Sequence, residues 1–175
     1  MSAAICSWHF YFAKNKTFIA VDAIKEKLVL AKEFGANHTI NVLDTNANER
    51  IKIIKELTKG IGAGVVIESC GITEMINEGI SVLKRRGILF EIGHLLDAGE
   101  ARINPYVLCR NEIQILGHYA YPSSQSMLFA AKLLERNELP YKKLLKFFRL
   151  DQYKEVIFDK KTENAIKPAF LIFTW

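Results

Sequence analysis

Glycine is absent from the first 34 residues, and Gly35 is the first one in the chain. Main-chain N–H groups wrap a phosphate only where the backbone turns tightly, and glycine permits such turns. A glycine-rich phosphate loop is therefore excluded ahead of Gly35. Cysteine is scarce as well. The three thiols, Cys6, Cys70 and Cys109, include no Cys-x-x-Cys pair. Their number and spacing exclude a disulfide framework and a cysteine cage for zinc, and reduced thiols in a cytoplasmic protein are expected. No apolar run reaches the roughly 18 residues of a membrane-spanning helix, so no membrane partner is expected. The apolar opening, Met1–Ala13, lacks a basic start, and Lys14 and Lys16 come after it, which argues against a secretory leader. Repeats and low-complexity tracts are missing too. The excess of positive charge is modest, +5 from 24 Lys and Arg against 19 Asp and Glu. It gathers into no tight stripe. Lys25, Lys27, Lys52, Lys55, Lys59, Lys84–Arg86 and Lys142–Lys146 lie on segments of helical spacing, where a solvated face explains them. No nucleic-acid partner is expected.

What remains has the composition of a folded core. Half of the 175 residues are apolar and a quarter are charged, enough for one ordinary domain with a small appendage. Thr17–Asp22 is a short apolar run ending in an acid, the pattern of a strand buried on both faces. Ile24, Leu28, Ala31 and Phe34 then recur at helical spacing, with Gly35 placed to end the helix. A strand over His38–Asn41 follows, then a helix over Asn46–Lys59 with Gly60 after it, and a strand over Gly64–Glu68. A helix over Thr73–Arg86 stops at Gly87, and Ile88–Ile92 is a strand ending at Gly93. Ile113–Leu116 adds an apolar run and Ser124–Arg136 a helix. Beyond Leu139, strands over Lys143–Leu150 and Ile166–Phe173 flank a short helix over Gln152–Lys160. Strand and helix alternate, which implies crossover connections and a parallel, doubly wound α/β sheet.

An acid at the tip of a buried parallel strand has two readings. Asp22 accepts hydrogen bonds from both hydroxyls of a nucleotide ribose, or it caps the following helix. A dinucleotide fold also needs G-x-G-x-x-G between a strand and a helix upstream of that acid, and none is there. The run Gly60-Ile61-Gly62-Ala63-Gly64 precedes a strand instead of following one, which makes it a helix-to-strand turn.

Taken in order, several segments resemble one family. Phe18-Ile19-Ala20-Val21-Asp22, Leu30-Ala31-Lys32-Glu33-Phe34-Gly35-Ala36 and His38-Thr39-Ile40-Asn41 are similar to segments of the zinc-dependent medium-chain alcohol and polyol dehydrogenases. So are Val65-Val66-Ile67-Glu68-Ser69-Cys70-Gly71, Ile88–Gly93, Ile103-Asn104-Pro105, Ile115-Leu116-Gly117, Leu150-Asp151 and Ala165-Ile166-Lys167. The resemblance runs over Thr17–Phe173. It implies an incomplete Rossmann-like sheet without its first strand, glycine loop and helix, followed by a short α+β return segment. The implied division is an atypical segment at Met1–Lys16, a partial NAD-binding domain at Thr17–Glu138 and a return segment at Leu139–Trp175. In Met1–Lys16 the run Trp8–Phe12 stands where a glycine-rich turn belongs, and it is expected to patch the uncovered sheet. Gly64 stands where the family usually carries an aspartate.

The resemblance also implies roles. Asp22 matches the ribose-binding acid, which favours NAD over NADP by repelling a 2′-phosphate, and Lys27 matches a lysine beside the adenosine ribose. Lys27 is equally read as a solvated helix charge. Ser69 and Gly71 follow the strand over which the cofactor passes, and Gly71 is equally a plain turn. Ile92, Gly93 and His94 match the segment beside the nicotinamide ribose. Gly117, His118 and Tyr119 match the strand next to the nicotinamide amide. A general-base role for His94 is set aside, because it needs a zinc-bound alcohol within reach. In the family the zinc ligands belong to a preceding catalytic domain, so no catalytic or metal-ligating residue is expected here. The expected reaction is NAD-dependent oxidation of an alcohol or polyol. Two outcomes are foreseen: a chain inactive without a partner that carries the catalytic domain, or a non-catalytic remnant that binds nucleotide weakly or only self-associates. The Ile113–Leu116 strand is expected to pair across a dimer axis.

Overall fold

The computed structural model describes residues 17–119, 123–136, 140–158 and 167–171. The chain divides into two compact units, Met1–Tyr121 and Pro122–Trp175. The expectations for Met1–Lys16, including the Trp8–Phe12 patch, lie outside the described residues.

The first unit alternates strand and helix as the spacing predicts. It runs β1 (Ile19–Asp22), α1 (Lys25–Glu33), β2 (His38–Asn41), α2 (Ala47–Leu57), β3 (Ala63–Glu68), α3 (Thr73–Val82), β4 (Leu83–Glu91), α4 (Pro105–Asn111) and β5 (Gln114–Gly117). Local chemistry fixes the boundaries. The Asn46 side chain accepts from the Glu49 N–H at 3.0 Å while Glu49 accepts from the Asn46 N–H at 2.8 Å, so α2 begins with a reciprocal cap. Gly35, at φ +96°, turns the chain out of α1. Gly60 and Gly62, at φ +79° and +97°, form the turn from α2 to β3, which makes the glycine run structural.

Every strand pairing in this unit is parallel, and the strands form two sheets. β1 pairs with β2 from Ile19↔His38 to Asp22↔Asn41, and β3–β4–β5 form the other. No main-chain hydrogen bond joins the two sheets among the described residues. Side chains bridge them instead. Ile40, Ile54 and Val82 form a buried cluster against Ile19, Val21, Ile51, Ile53 and Val66, so α2 and α3 hold both sheets on one face. On the other face of β1, Phe18 and Ala20 pack on Leu28, Ala31 and Ala36. A third cluster, Ile80, Leu83 and Leu89, lies under α3 and α4. The doubly wound α/β class holds, with the sheet in two parts.

One boundary differs from expectation. The apolar spacing carries α3 to Arg86, whereas the helix ends at Val82. Leu83 pairs with Ala63, and the ladder resumes only at Val65↔Ile88. In the intervening turn Arg86 takes φ +60°. Arg85 and Arg86 both bind the Glu112 carboxylate, and Leu83 is buried in the third cluster. Ion pairing and burial therefore favour the extended path.

The second unit contains α5 (Ser124–Glu135), capped by the Ser123 hydroxyl accepting from the Ser126 N–H at 3.1 Å. It continues with β6 (Leu145–Arg149), α6 (Tyr153–Phe158) and β7 (Lys167–Leu171). β6 and β7 pair in parallel. The strand, helix and strand expected beyond Leu139 are present with shorter bounds. Among the described residues no helix is long and apolar enough to cross a membrane.

Candidate functional site

In a parallel sheet all carboxyl ends point the same way, and ligands bind beyond them. The sequence-predicted residues follow that geometry. Asp22 ends β1; Ser69 and Gly71 follow β3; Ile92, Gly93 and His94 follow β4; His118 and Tyr119 follow β5.

At the β1 end, Asp22 closes the turn ahead of α1, whose N-cap is Ile24 with no side-chain cap. Its Oδ1 accepts from the Ile24 N–H at 2.9 Å. Its Oδ2 accepts no hydrogen bond among the described residues. Lys27, half-buried, stands in the first turn of α1. A ribose diol needs an acceptor at a strand tip, and the free oxygen of Asp22 offers one.

At the β3 and β4 ends the loops touch each other. Gly71 has φ +73°, and a Cβ there would lie 2.7 Å from the Gly93 carbonyl oxygen. A Cβ on Gly93 would lie 2.3 Å from Glu68 Oε2 and 2.4 Å from the Gly71 nitrogen. Both glycines are therefore required by the contact between the two loops, whatever else they do. His118 is tied to β4 by its N–H, which donates to the Glu91 carbonyl at 2.9 Å. The side chains of His118 and Tyr119 are exposed.

Under this contact lies a cluster that sequence reasoning missed. The register pairs Glu68 with Glu91, the last residues of β3 and β4, so parallel pairing sets two carboxylates side by side. Glu68 is only 5% exposed. Its Oε1 accepts from the Cys70 N–H at 2.9 Å, the Cys70 thiol at 2.6 Å and the Gly71 N–H at 3.0 Å. The Gly93 and His94 N–H groups donate to Glu91 Oε1 at 3.0 and 3.2 Å. That turn brings His94 Nδ1 to 2.8 Å from Glu91 Oε1 and 3.7 Å from Glu68 Oε2. The hydrogen bond to Glu91 raises the His94 pKa above the ordinary histidine value, with the charges of Glu91 and Glu68 adding to it. Burial, then the bond to Glu68, pushes the Cys70 thiol up to about 12. Among the described residues, the buried atoms Glu91 Oε2 and His94 Nε2 have no hydrogen-bond partner. Glu91 and His94 also line a cavity of about 460 Å³ together with Thr73, Ile76 and Leu95. The available signal was an acid closing each of two successive buried strands, which parallel pairing brings together.

Comparison with known proteins places these features in context. The family model for zinc-binding dehydrogenases matches residues 12–136. An erythritol/L-threitol dehydrogenase from Mycolicibacterium smegmatis is 33% identical over 123 residues, which is 70% of this chain and 32% of that protein. A 5-exo-hydroxycamphor dehydrogenase from Pseudomonas putida is 29% identical over 161 residues, 88% of this chain and 43% of that protein. Among solved structures, an alcohol dehydrogenase zinc-binding domain protein from Burkholderia ambifaria superposes with a TM-score of 0.83 at 25% identity. The match covers 99% of this chain and 47% of that one. The chain thus spans between a third and a half of the length of these relatives.

Proposed function

The chain belongs to the zinc-binding dehydrogenase family, and on that premise we propose that it is the nucleotide-binding portion of an NAD-dependent alcohol or polyol dehydrogenase. The observation that carries this reading is Asp22. Its carboxylate closes β1 at the sheet's carboxyl end and keeps one oxygen free of partners among the described residues. That oxygen accepts from the adenosine ribose, Lys27 adds a positive charge beside it, and the acid disfavours a 2′-phosphate. Ser69, Gly71, Ile92, Gly93, His94, His118 and Tyr119 form the rim on which the nicotinamide half lies. When bound, NAD supplies the hydride acceptor; this chain's share is to hold and orient it.

The same reading assigns no alcohol oxidation to the chain alone. Phosphate affinity in such folds comes from glycine-loop amides and a helix N-terminus, and the first glycine is Gly35. In this reading zinc and the substrate groove belong to the family's catalytic domain, and the protein works in the cytoplasm. β5, with Ile115 and Leu116 exposed, is a free sheet edge that pairs with a second copy. Sedimentation at rising concentration tests this last point: a monomer throughout, unchanged by Leu116→Lys, refutes it.

The nucleotide reading is tested by titrating NADH into the purified chain and following its fluorescence. Weak but saturable binding is expected for wild type, lost in Asp22→Ala and reduced in Asp22→Asn, which retains the turn to Ile24. No saturation up to millimolar NADH would overturn the reading and leave the second one, a remnant that only self-associates.

A further inference from the structure

We propose that Glu68, Glu91 and His94 form a binding site for one divalent first-row transition-metal ion of the zinc class. The ion is separate from the zinc that the resemblance assigns to a catalytic domain, and the inference stands whether or not the nucleotide reading does. Its basis is the juxtaposition at the carboxyl ends of β3 and β4. Each of the three residues offers one ligand atom, and these atoms lie within 4.8 Å of one another; His94 Nδ1 is 3.7 Å from Glu68 Oε2 and 2.8 Å from Glu91 Oε1.

Two carboxylates and an imidazole converge in a largely buried space, a donor set that one divalent ion can bridge. Zinc–oxygen and zinc–nitrogen bonds of about 2.0–2.2 Å let one ion reach ligand atoms up to about 4.2 Å apart. The 3.7 Å His94–Glu68 separation lies in that range, and the 2.8 Å His94–Glu91 contact is a direct hydrogen bond that the ion would replace. A mixed carboxylate and imidazole set suits zinc and its first-row neighbours.

The surroundings are those of a built site. Metal-ligating carboxylates are held in place by further hydrogen bonds. Here the Cys70 and Gly71 N–H groups and the Cys70 thiol fix Glu68, while the Gly93 and His94 N–H groups fix Glu91. Glu91 Oε2, buried and unpartnered among the described residues, is a second oxygen through which Glu91 can chelate. The cavity lined by Glu91 and His94 leaves room for a water at a fourth position. Three protein ligands with one open position is the arrangement of a zinc ion that can take a further ligand.

The test uses the full chain, treated with chelator and then titrated with Co²⁺ by visible absorption and with Zn²⁺ by equilibrium dialysis, without nucleotide. One ion per chain is expected, with affinity reduced by about 100-fold or more in His94→Gln and in Glu91→Gln. Circular dichroism should stay unchanged in both. His38→Gln, which alters an exposed histidine of β2, and Asp22→Ala should bind as wild type does, so failure of NADH binding leaves this result readable. Absence of stoichiometric uptake, or uptake that survives both His94→Gln and Glu91→Gln, would overturn the proposal.

Discussion

Arg50 and Glu78 are the perturbation best worked from the geometry. Their side chains are 6% and 10% exposed. The guanidinium donates through Nε to Glu78 Oε1 and through Nη2 to Oε2, both at 2.7 Å. Nη1 donates to the Thr45 carbonyl at 2.6 Å. One side chain of α2 thus binds α3 and the loop that leads into α2, and the bidentate pair raises the Arg50 pKa. Glu78→Gln keeps the shape and one acceptor, but it turns an amide donor toward Nη2 and leaves the guanidinium without a counter-charge. Removing one partner of a buried pair costs about 3–5 kcal/mol. The surviving Thr45 contact argues for the lower end, about 3 kcal/mol. Arg50→Met strands the carboxylate instead and should cost a similar amount. In the double variant Arg50→Met/Glu78→Leu neither charge is stranded. Its loss should fall short of the sum of the single losses by about 2 kcal/mol or more. Urea unfolding at neutral pH, followed by circular dichroism, measures all three. A Glu78→Gln cost under about 1 kcal/mol, the value of an exposed pair, would refute the reasoning, and so would strict additivity.

Two further outcomes follow from contacts already described. Gly93→Ala forces a Cβ to within 2.3 Å of Glu68 Oε2 and 2.4 Å of the Gly71 nitrogen, so overpacking should lower stability by about 1–3 kcal/mol; a neutral effect in urea unfolding would mean that the loops part freely. Arg86, then Arg85, holds the Glu112 carboxyl below the usual glutamate range. Its contribution to stability is therefore present above the unfolded carboxyl pKa and is lost as pH falls through the lowered folded value. The stability difference between wild type and Glu112→Gln should shrink on acidification, and a difference that grows would show the sign to be wrong.

Much of the first unit was legible because its signals are local. Buried parallel strands read as short apolar runs, and Asn46, Gly35 and Gly60 mark helix ends through their own side chains or backbone freedom. The end of α3 was illegible because Leu83 continues the helical spacing of Ile76 and Ile80. What draws it into extended chain is the Glu112 ion pair and burial beside Leu89, both distant in sequence. The site divided along the same line. Asp22, Gly71 and Gly93 could be placed by their position after strands. The meeting of Glu68 with Glu91 depends on strand register, and the return of His94 onto both depends on a loop conformation, neither of which a linear pattern encodes. Gly71 and Gly93 also proved to answer to each other's backbones.

The division of the first unit into two sheets sets the way it can move. Hydrogen-bonded neighbours are locked in register, whereas packed side chains permit small sliding displacements. The boundary between β1–β2 and β3–β4–β5 is therefore where shear is expected, a plane crossed by the Ile40–Ile54–Val82 cluster and by the Arg50–Glu78 clamp. Asp22 rides on one plate, and the Glu68–Glu91–His94 cluster rides on the other. A ligand long enough to engage both would act as a brace across the plane, and the slowing of amide exchange in α2 and α3 would be the signature of that brace.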